Sequence, residues 1–404
     1  MGYGRVGQAP LLGGALRDGD PMSRRTSGKT AGAPILLGDP ALAEVLGDAL
    51  AQASDVDRAT HGFHTWPAGL HADAARLLVE AFPGQRVLDP FVGGGTTLVE
   101  ARLAGRSTFG RDLSPTALRV AWGRTASPDE AFHTRARSYA RRITEAARQC
   151  TEPPDDELQA ALGDWYAPHA LVELASLKRD IAQADPDIRP LLEVCFSSIL
   201  VKVSWRRSDT SARREKHHRP PGTAAILFHK KVRELCRRQA ALREAVPEGT
   251  PDTDLALGDA RRIEVPAPVD LVLTSPPYPS TYDYLPMQTL RTIWFSDRPM
   301  FEREIGARRD WKDGERDARK QWRRDTNAWM AAAGDALSVG GHLVVVIGDG
   351  LTPTGVVDTS KATEQAAHTA GLASVARASV ERDDHARGTT RWEHILVYQK
   401  EPAV

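Results

Sequence analysis

Cysteine is scarce in this chain: Cys150, Cys195 and Cys236 are the only three in 404 residues. They are too far apart for a disulfide framework or a zinc-ligand spacing. A reducing cytoplasm is the expected setting, with no metal site. Net charge is missing as well, since 53 Lys and Arg balance 53 Asp and Glu. No global field advertises a polyanionic partner, so any such surface must come from local clustering. No apolar run approaches the roughly 20 residues that span a bilayer, and the N-terminus lacks the continuous apolar segment of a secretory signal. The sequence reads as soluble and intracellular, without a membrane partner.

Residues 1–39 form the expected leader: Gly, Arg, Ser and Pro abound up to about Gly32 without a sustained apolar period, which predicts disorder, and Met22 offers an alternative start. Leu42, Val45, Leu46 and Leu50 then recur at helical spacing. An aromatic and histidine cluster, His61-Gly62-Phe63-His64-Thr65-Trp66-Pro67-Ala68, precedes a predicted helix from His71 to Phe82. It lies just upstream of a glycine-rich turn, where a segment could fold over a bound ligand.

That turn belongs to Arg86-Val87-Leu88-Asp89-Pro90-Phe91-Val92-Gly93-Gly94-Gly95-Thr96-Thr97, read as strand, turn and helix start. Glycine lets a ligand approach the backbone, and a helix N-terminus favours a negative group, so a nucleotide-like ligand is implied. The loop has neither Gly-x-Gly-x-x-Gly nor Gly-Lys-Ser/Thr spacing, which fits poorly with the dinucleotide fingerprint and the phosphate loop. Ser107 to Asp112 reads as a second strand closing on an acid, a place from which a carboxylate can accept both hydroxyls of a ribose.

From about residue 128 to 250 the periodicity turns helical. Between Val201 and Ala240 twelve Lys and Arg face three acids. Ser204 to Gly222 reads as a basic, Pro-ended loop between helices, with Arg206, Arg207, Arg213, Arg214, Lys216 and Arg219 as candidate phosphate contacts. The sheet pattern resumes at Leu255 to Asp259. Val269 to Leu273 then runs into Thr274-Ser275-Pro276-Pro277-Tyr278, where two prolines end the ladder. Neither proline carries an N–H, so the turn offers carbonyls, the Ser275 hydroxyl and the flat face of Tyr278, a cradle for a planar group bearing N–H donors. Strands ending at Asp112, Asp259 and Ser275 are expected on one carboxyl edge of a parallel sheet. Phe301 to Arg324, mixed in charge, is expected to be a mobile solvated segment. Trp329 to Leu337 reads as a helix stopped by Gly340-Gly341, with a buried strand from His342 to Ile347.

In this order the motifs resemble those of class I S-adenosylmethionine-dependent methyltransferases, specifically the amino-group DNA methyltransferases that modify N4 of cytosine or N6 of adenine. Asp89-Pro90-Phe91-Val92-Gly93-Gly94-Gly95-Thr96-Thr97 is similar to their cofactor loop, and Ser275-Pro276-Pro277-Tyr278 to their catalytic tetrapeptide, with serine first as in many N4-cytosine enzymes. The resemblance implies a Rossmann-like, doubly wound α/β sheet. Its core comes in two parts, residues 40–127 and 251–404, interrupted by a large helical insertion at 128–250, a candidate target-recognition region. It implies S-adenosyl-L-methionine as cofactor, bound by Phe63, Pro67, Asp89, Phe91, Gly93, Gly95, Thr96, Asp112 (ribose) and Asp259 (adenine amino group). Ser275, Pro276, Pro277 and Tyr278 would be catalytic, and DNA the partner before RNA, within a restriction-modification setting whose companion nuclease is not legible here. Many N4-cytosine enzymes place the catalytic motif first, a departure that bears on base identity. The same chemistry on RNA or a small-molecule amine, or a silent DNA-binding protein with this fold, are the alternatives.

Overall fold

A computed structural model describes residues 32–52, 58–67, 69–384 and 389–402. Residues 1–31 of the expected leader and Ala68 of the aromatic cluster lie outside the described residues. In chain order, β1 (Ile35–Gly38) leads to α1 (Pro40–Ala51), α2 (Ala72–Ala81), β2 (Arg86–Asp89), α3 (Thr96–Leu103), β3 (Ser107–Asp112) and α4 (Pro115–Thr125). Helices α5 (Glu130–Gln149), α6 (Asp156–Leu162), α7 (Pro168–Ala182) and α8 (Arg189–Val203) follow, then a hairpin of β4 (Arg206–Ser208) and β5 (Ser211–Arg214), then α9 (Thr223–Ala245). The chain re-enters the sheet through β6 (Asp254–Leu257) and β7 (Val269–Thr274), and short helices α10 (Tyr284–Met287) and α11 (Thr289–Phe295) precede the long α12 (Arg308–Ala336). β8 (Leu337–Gly348), the hairpin of β9 (Gly350–Thr352) and β10 (Gly355–Val357), α13 (Thr359–Thr369), β11 (Leu372–Asp384) and β12 (Thr389–Lys400) complete it.

Eight strands make the main sheet in the order β1-β11-β12-β8-β7-β2-β3-β6. The five strands from β8 to β6 are parallel to their neighbours, while β12, β11 and β1 join antiparallel. This is a doubly wound α/β fold whose strand order reverses between β2 and β7, the place where such sheets open a ligand crevice. The local sequence explains the centre: Leu271, Val272 and Leu273 are fully buried, as a parallel strand covered on both faces requires. One face packs Trp329, Met330 and Ala366, and the other Leu46, Leu78 and Val79. Residues of α7, α8 and α9, with Leu174, Leu177, Phe196, Ile199 and Phe228, are buried together in a second core that also takes in Phe63, Leu290 and Trp294. The insertion docks on α4, where Gly123 comes so close to α8 that an added Cβ would lie 3.0 Å from Val194.

Three expectations are corrected. Ile35–Gly38 is an edge strand paired with β11, so the leader does not reach residue 39. Phe301–Arg324 is mostly helix: α12 begins at Arg308, with a break at Gly314, and Trp311 and Trp322 are buried. Trp311, Trp322 and Trp329 recur at intervals close to whole helical turns, so one face of this charged stretch is apolar. Last, α12 ends at Ala336 and Gly340-Gly341 lies within β8, where the register against β7 slips between Leu337 and His342.

Candidate active site

The cleft is built at the carboxyl edge of β2, β3, β6 and β7. After β2 the chain turns within Pro90–Gly95 into α3. Gly93 (φ 49°) and Gly95 (φ 78°) adopt the left-handed region that glycine alone enters without strain. A Cβ on Gly93 would stand 2.7 Å from the Trp66 Nε1, so the indole lies against the bare loop. Two carboxyls hold this turn. Asp89 Oδ1 accepts from the Phe91 N–H (3.1 Å) and the Thr274 hydroxyl (2.7 Å). Asp112 accepts the Gly93 N–H (2.9 Å) on one oxygen and the Ser114 N–H (2.9 Å) on the other. Burial pushes both carboxyls up to about 6, against the pull of those donors.

Asp259, just beyond β6, also lines the cleft, but its carboxylate is gripped by Arg261 through Nε (2.9 Å) and Nη2 (2.7 Å). Burial raises this group, and the Arg261 hydrogen bonds outweigh it, so its carboxyl is held below the ordinary carboxylate pKa range. Arg261 in turn reaches Asp325 at 2.7 Å. Across from the glycine loop, β7 delivers Ser275 and Pro277 into the same cleft.

Of the residues singled out by the sequence, Pro67, Asp89, Phe91, Gly93, Thr96, Asp112, Asp259, Ser275 and Pro277 share this one cleft. Phe63 does not: it is buried in the second core with the Lys231 ammonium over its ring, because it precedes the turn that aims Trp66 instead. Gly95 faces α4, where an added Cβ would be 3.2 Å from that of Ala121, and Gly94 takes its place on the cleft wall. Pro276 is buried behind the turn. Tyr278 is also away from the wall: its ring is 4% exposed and packs on Gly348, its hydroxyl donates to Glu393 at 3.1 Å, and the Arg391 guanidinium sits 5.8 Å from its centroid.

Several residues in or behind the wall carried no local signal. Arg124, at the end of α4, donates to the Gly94 carbonyl (3.1 Å) and to that of His64, tying the upstream segment to the glycine loop. Its burial lowers it to about 10. Gln288, Glu304 and Ile305 close the far wall with Tyr284. Gln288 accepts from Arg291 at 2.8 Å, and Arg291 is paired in the interior with Asp209, from the turn of the β4–β5 hairpin.

The candidate phosphate contacts divide. Arg206 is buried at 7% exposure, donating to the carbonyls of Ser211 (2.9 Å) and Asp209 (3.2 Å), so it shapes the hairpin and is no surface cation. Arg207, Arg213, Arg214 and Lys216 are exposed, and Arg219 is half-buried with its Nε on His217. Among the described residues no cluster of His, Cys, Asp and Glu is arranged to hold a metal ion, and no helix is long and apolar enough to cross a membrane.

This donor and acceptor set fits S-adenosylmethionine. Asp112 accepts from the Gly93 and Ser114 N–H groups on its two oxygens and, with about four lone-pair sites on a carboxylate, retains acceptor capacity for a ribose diol. The glycine turn leaves room for close approach, and paired carboxyls suit a cationic group. No protein-family profile matches the chain. It is 24% identical over 164 residues to the type II methyltransferase M.MvaI of Kocuria varians, a stretch covering 37% of this chain and 36% of that protein. The chain thus aligns with about a third of that relative's length. Among solved structures, TrmN from Thermus thermophilus matches with a TM-score of 0.34 at 14% identity, over 82% of this chain and 48% of TrmN. A SAM-dependent methyltransferase from Methanosarcina mazei matches with a TM-score of 0.33 at 9% identity, over 81% of this chain and 98% of that one.

Proposed function

We propose that the protein transfers a methyl group from S-adenosylmethionine to an exocyclic amine of a DNA base, N4 of cytosine ahead of N6 of adenine. One observation carries the reading. Ser275 and Pro277, in the turn that ends β7, share a single cleft with the glycine loop and Asp112, so amine-accepting and cofactor-holding groups face one space. The identity with a type II methyltransferase supports it.

S-adenosylmethionine, when bound, supplies an electrophilic methyl group on its sulfonium. The chain's own residues do the rest by holding and orienting. A cytosine or adenine amine is a poor nucleophile because its lone pair is delocalised into the ring. The Ser275 hydroxyl and the Pro276 carbonyl accept its two hydrogens, which frees the nitrogen to pyramidalise and directs its lone pair. Among the described residues nothing else engages the Ser275 hydroxyl. Transfer turns the sulfonium into a neutral thioether and leaves a cationic nitrogen, which gives its surplus proton to water. The rate then rests on positioning and preorganised dipoles, with no covalent enzyme intermediate. In duplex DNA the base is flipped out, costing a few kcal/mol of unstacking that phosphate contacts from the insertion offset.

The test is incubation with methyl-labelled S-adenosylmethionine and a panel of duplex DNAs, read by base-resolved mapping. Label on cytosine N4 or adenine N6 is the expected result. A folded protein that binds the cofactor and labels no DNA refutes it, and label on RNA or a small amine alone assigns the same chemistry to that substrate.

A further inference from the structure

Away from the cleft, α5 and α9 form the walls of an open groove. Arg135, Arg141, Arg142 and Arg148 line it from α5, and Lys230 and Arg233 from α9; only Glu145 and Asp185 oppose these six cations. In a chain with no net charge this is a strong local excess. Arg135 pairs with Asp187, and Arg148 with Glu145. Among the described residues Arg141, Lys230 and Arg233 have no carboxylate in ion-pair range. Arg141 and Arg233 lie on different helices and line the same groove with His229, so the charges meet across it. On α9 the like charges Lys230 and Arg233 stand three residues apart, a spacing at which they repel. A concave basic track of this kind is paired by a polyanion with regularly spaced charges.

A run of contacts links the cleft wall to the groove. Gln288 in the cleft wall bonds Arg291, Arg291 pairs with Asp209 in the hairpin turn, and the chain runs on past exposed Arg213, Arg214 and Lys216 to Gly222 at the start of α9. There an added Cβ on Gly222 would lie 3.6 Å from Arg148 of the groove. We propose that the groove between α5 and α9 binds the sugar-phosphate backbone of the nucleic acid whose base enters the cleft. This rests on the DNA reading above, although the phosphate chemistry is shared with RNA.

The test pairs Arg141→Ala/Arg233→Ala with the charge-preserving Arg141→Lys/Arg233→Lys. Both side chains are exposed and neither lines the cleft, and S-adenosylmethionine binding checks the fold of each variant. Anisotropy of a labelled 20-base-pair duplex and of a labelled single-stranded RNA is followed over a salt series, with methyl transfer to the duplex assayed in parallel. For the duplex, each phosphate contact contributes about 0.9 to the slope of log affinity against log salt. The alanine pair is expected to flatten the slope by about 2, and the lysine pair to restore it. An unchanged slope in the alanine pair overturns the groove, as does a wild type that binds neither nucleic acid. Methyl transfer with an unchanged slope refutes the groove and leaves the DNA reading standing. RNA binding that depends on the two arginines, without methyl transfer to DNA, supports the groove and refutes that reading.

Discussion

Asp89→Asn separates the cost of the cleft from its use. The carboxyl is 4% exposed, and burial raises it from 3.8 to about 6. Between those values the folded protein holds a proton that the unfolded chain has lost, so stability falls as pH rises through this window and levels off above it. The shift corresponds to about 3 kcal/mol at pH 8. Asparagine keeps the oxygen that accepts from Phe91 and Thr274 and carries no charge. The variant without cofactor is therefore expected to be more stable than wild type by up to about 3 kcal/mol at pH 8, the gap closing towards pH 4. Urea unfolding at the two pH values measures this. The same change is expected to weaken S-adenosylmethionine, because a hydrogen-bonded charge contributes roughly 1.5–3 kcal/mol. In the wild type, affinity for this cationic cofactor should fall as pH drops below about 6, where Asp89 and Asp112 take up protons. Equal stabilities at pH 8, or a gap that widens on acidification, would refute the reasoning.

Ser275→Ala is expected to cut turnover by about 10²-fold or more with cofactor binding intact, whereas Asp112→Ala loses cofactor affinity first; calorimetry beside a single-turnover assay separates the two. Gly93→Ala places a Cβ 2.7 Å from Trp66 at φ 49°, straining the loop by about 1–2 kcal/mol before any clash, and its S-adenosylmethionine Kd should rise about tenfold or more. Arg291→Ala leaves Asp209 buried without its cation, a loss of about 3–5 kcal/mol; denaturation of this variant, Asp209→Ala and the double variant should show strong coupling.

Much of the frame was legible from local chemistry. The β2, β3 and β7 strands run between turn residues, and Leu271–Leu273 is apolar without alternation, the mark of a strand covered on both faces. Asp112, Asp259 and Ser275 each follow such a run, which put them on one edge. The charged stretch before Ala336 was misjudged because its helical signal rests on three tryptophans spread over five turns, outweighed locally by Arg, Lys, Asp and Glu. The hairpin at Arg206 looked like a surface loop because a basic run does not reveal which guanidinium turns inward.

The sequence by itself determined β2, β3, β6 and β7, the glycine turn and the acceptor-rich Ser-Pro-Pro-Tyr turn, since φ permission, missing N–H groups and side-chain periodicity are properties of neighbouring residues. Tertiary structure alone decided that Trp66 rather than Phe63 covers the loop, that Gly94 rather than Gly95 faces the cleft, that Tyr278 lies behind it, and that α5 and α9 bring their arginines together. Those outcomes depend on partners far away in the chain, which set burial and charge pairing only once the sheet and the insertion have packed.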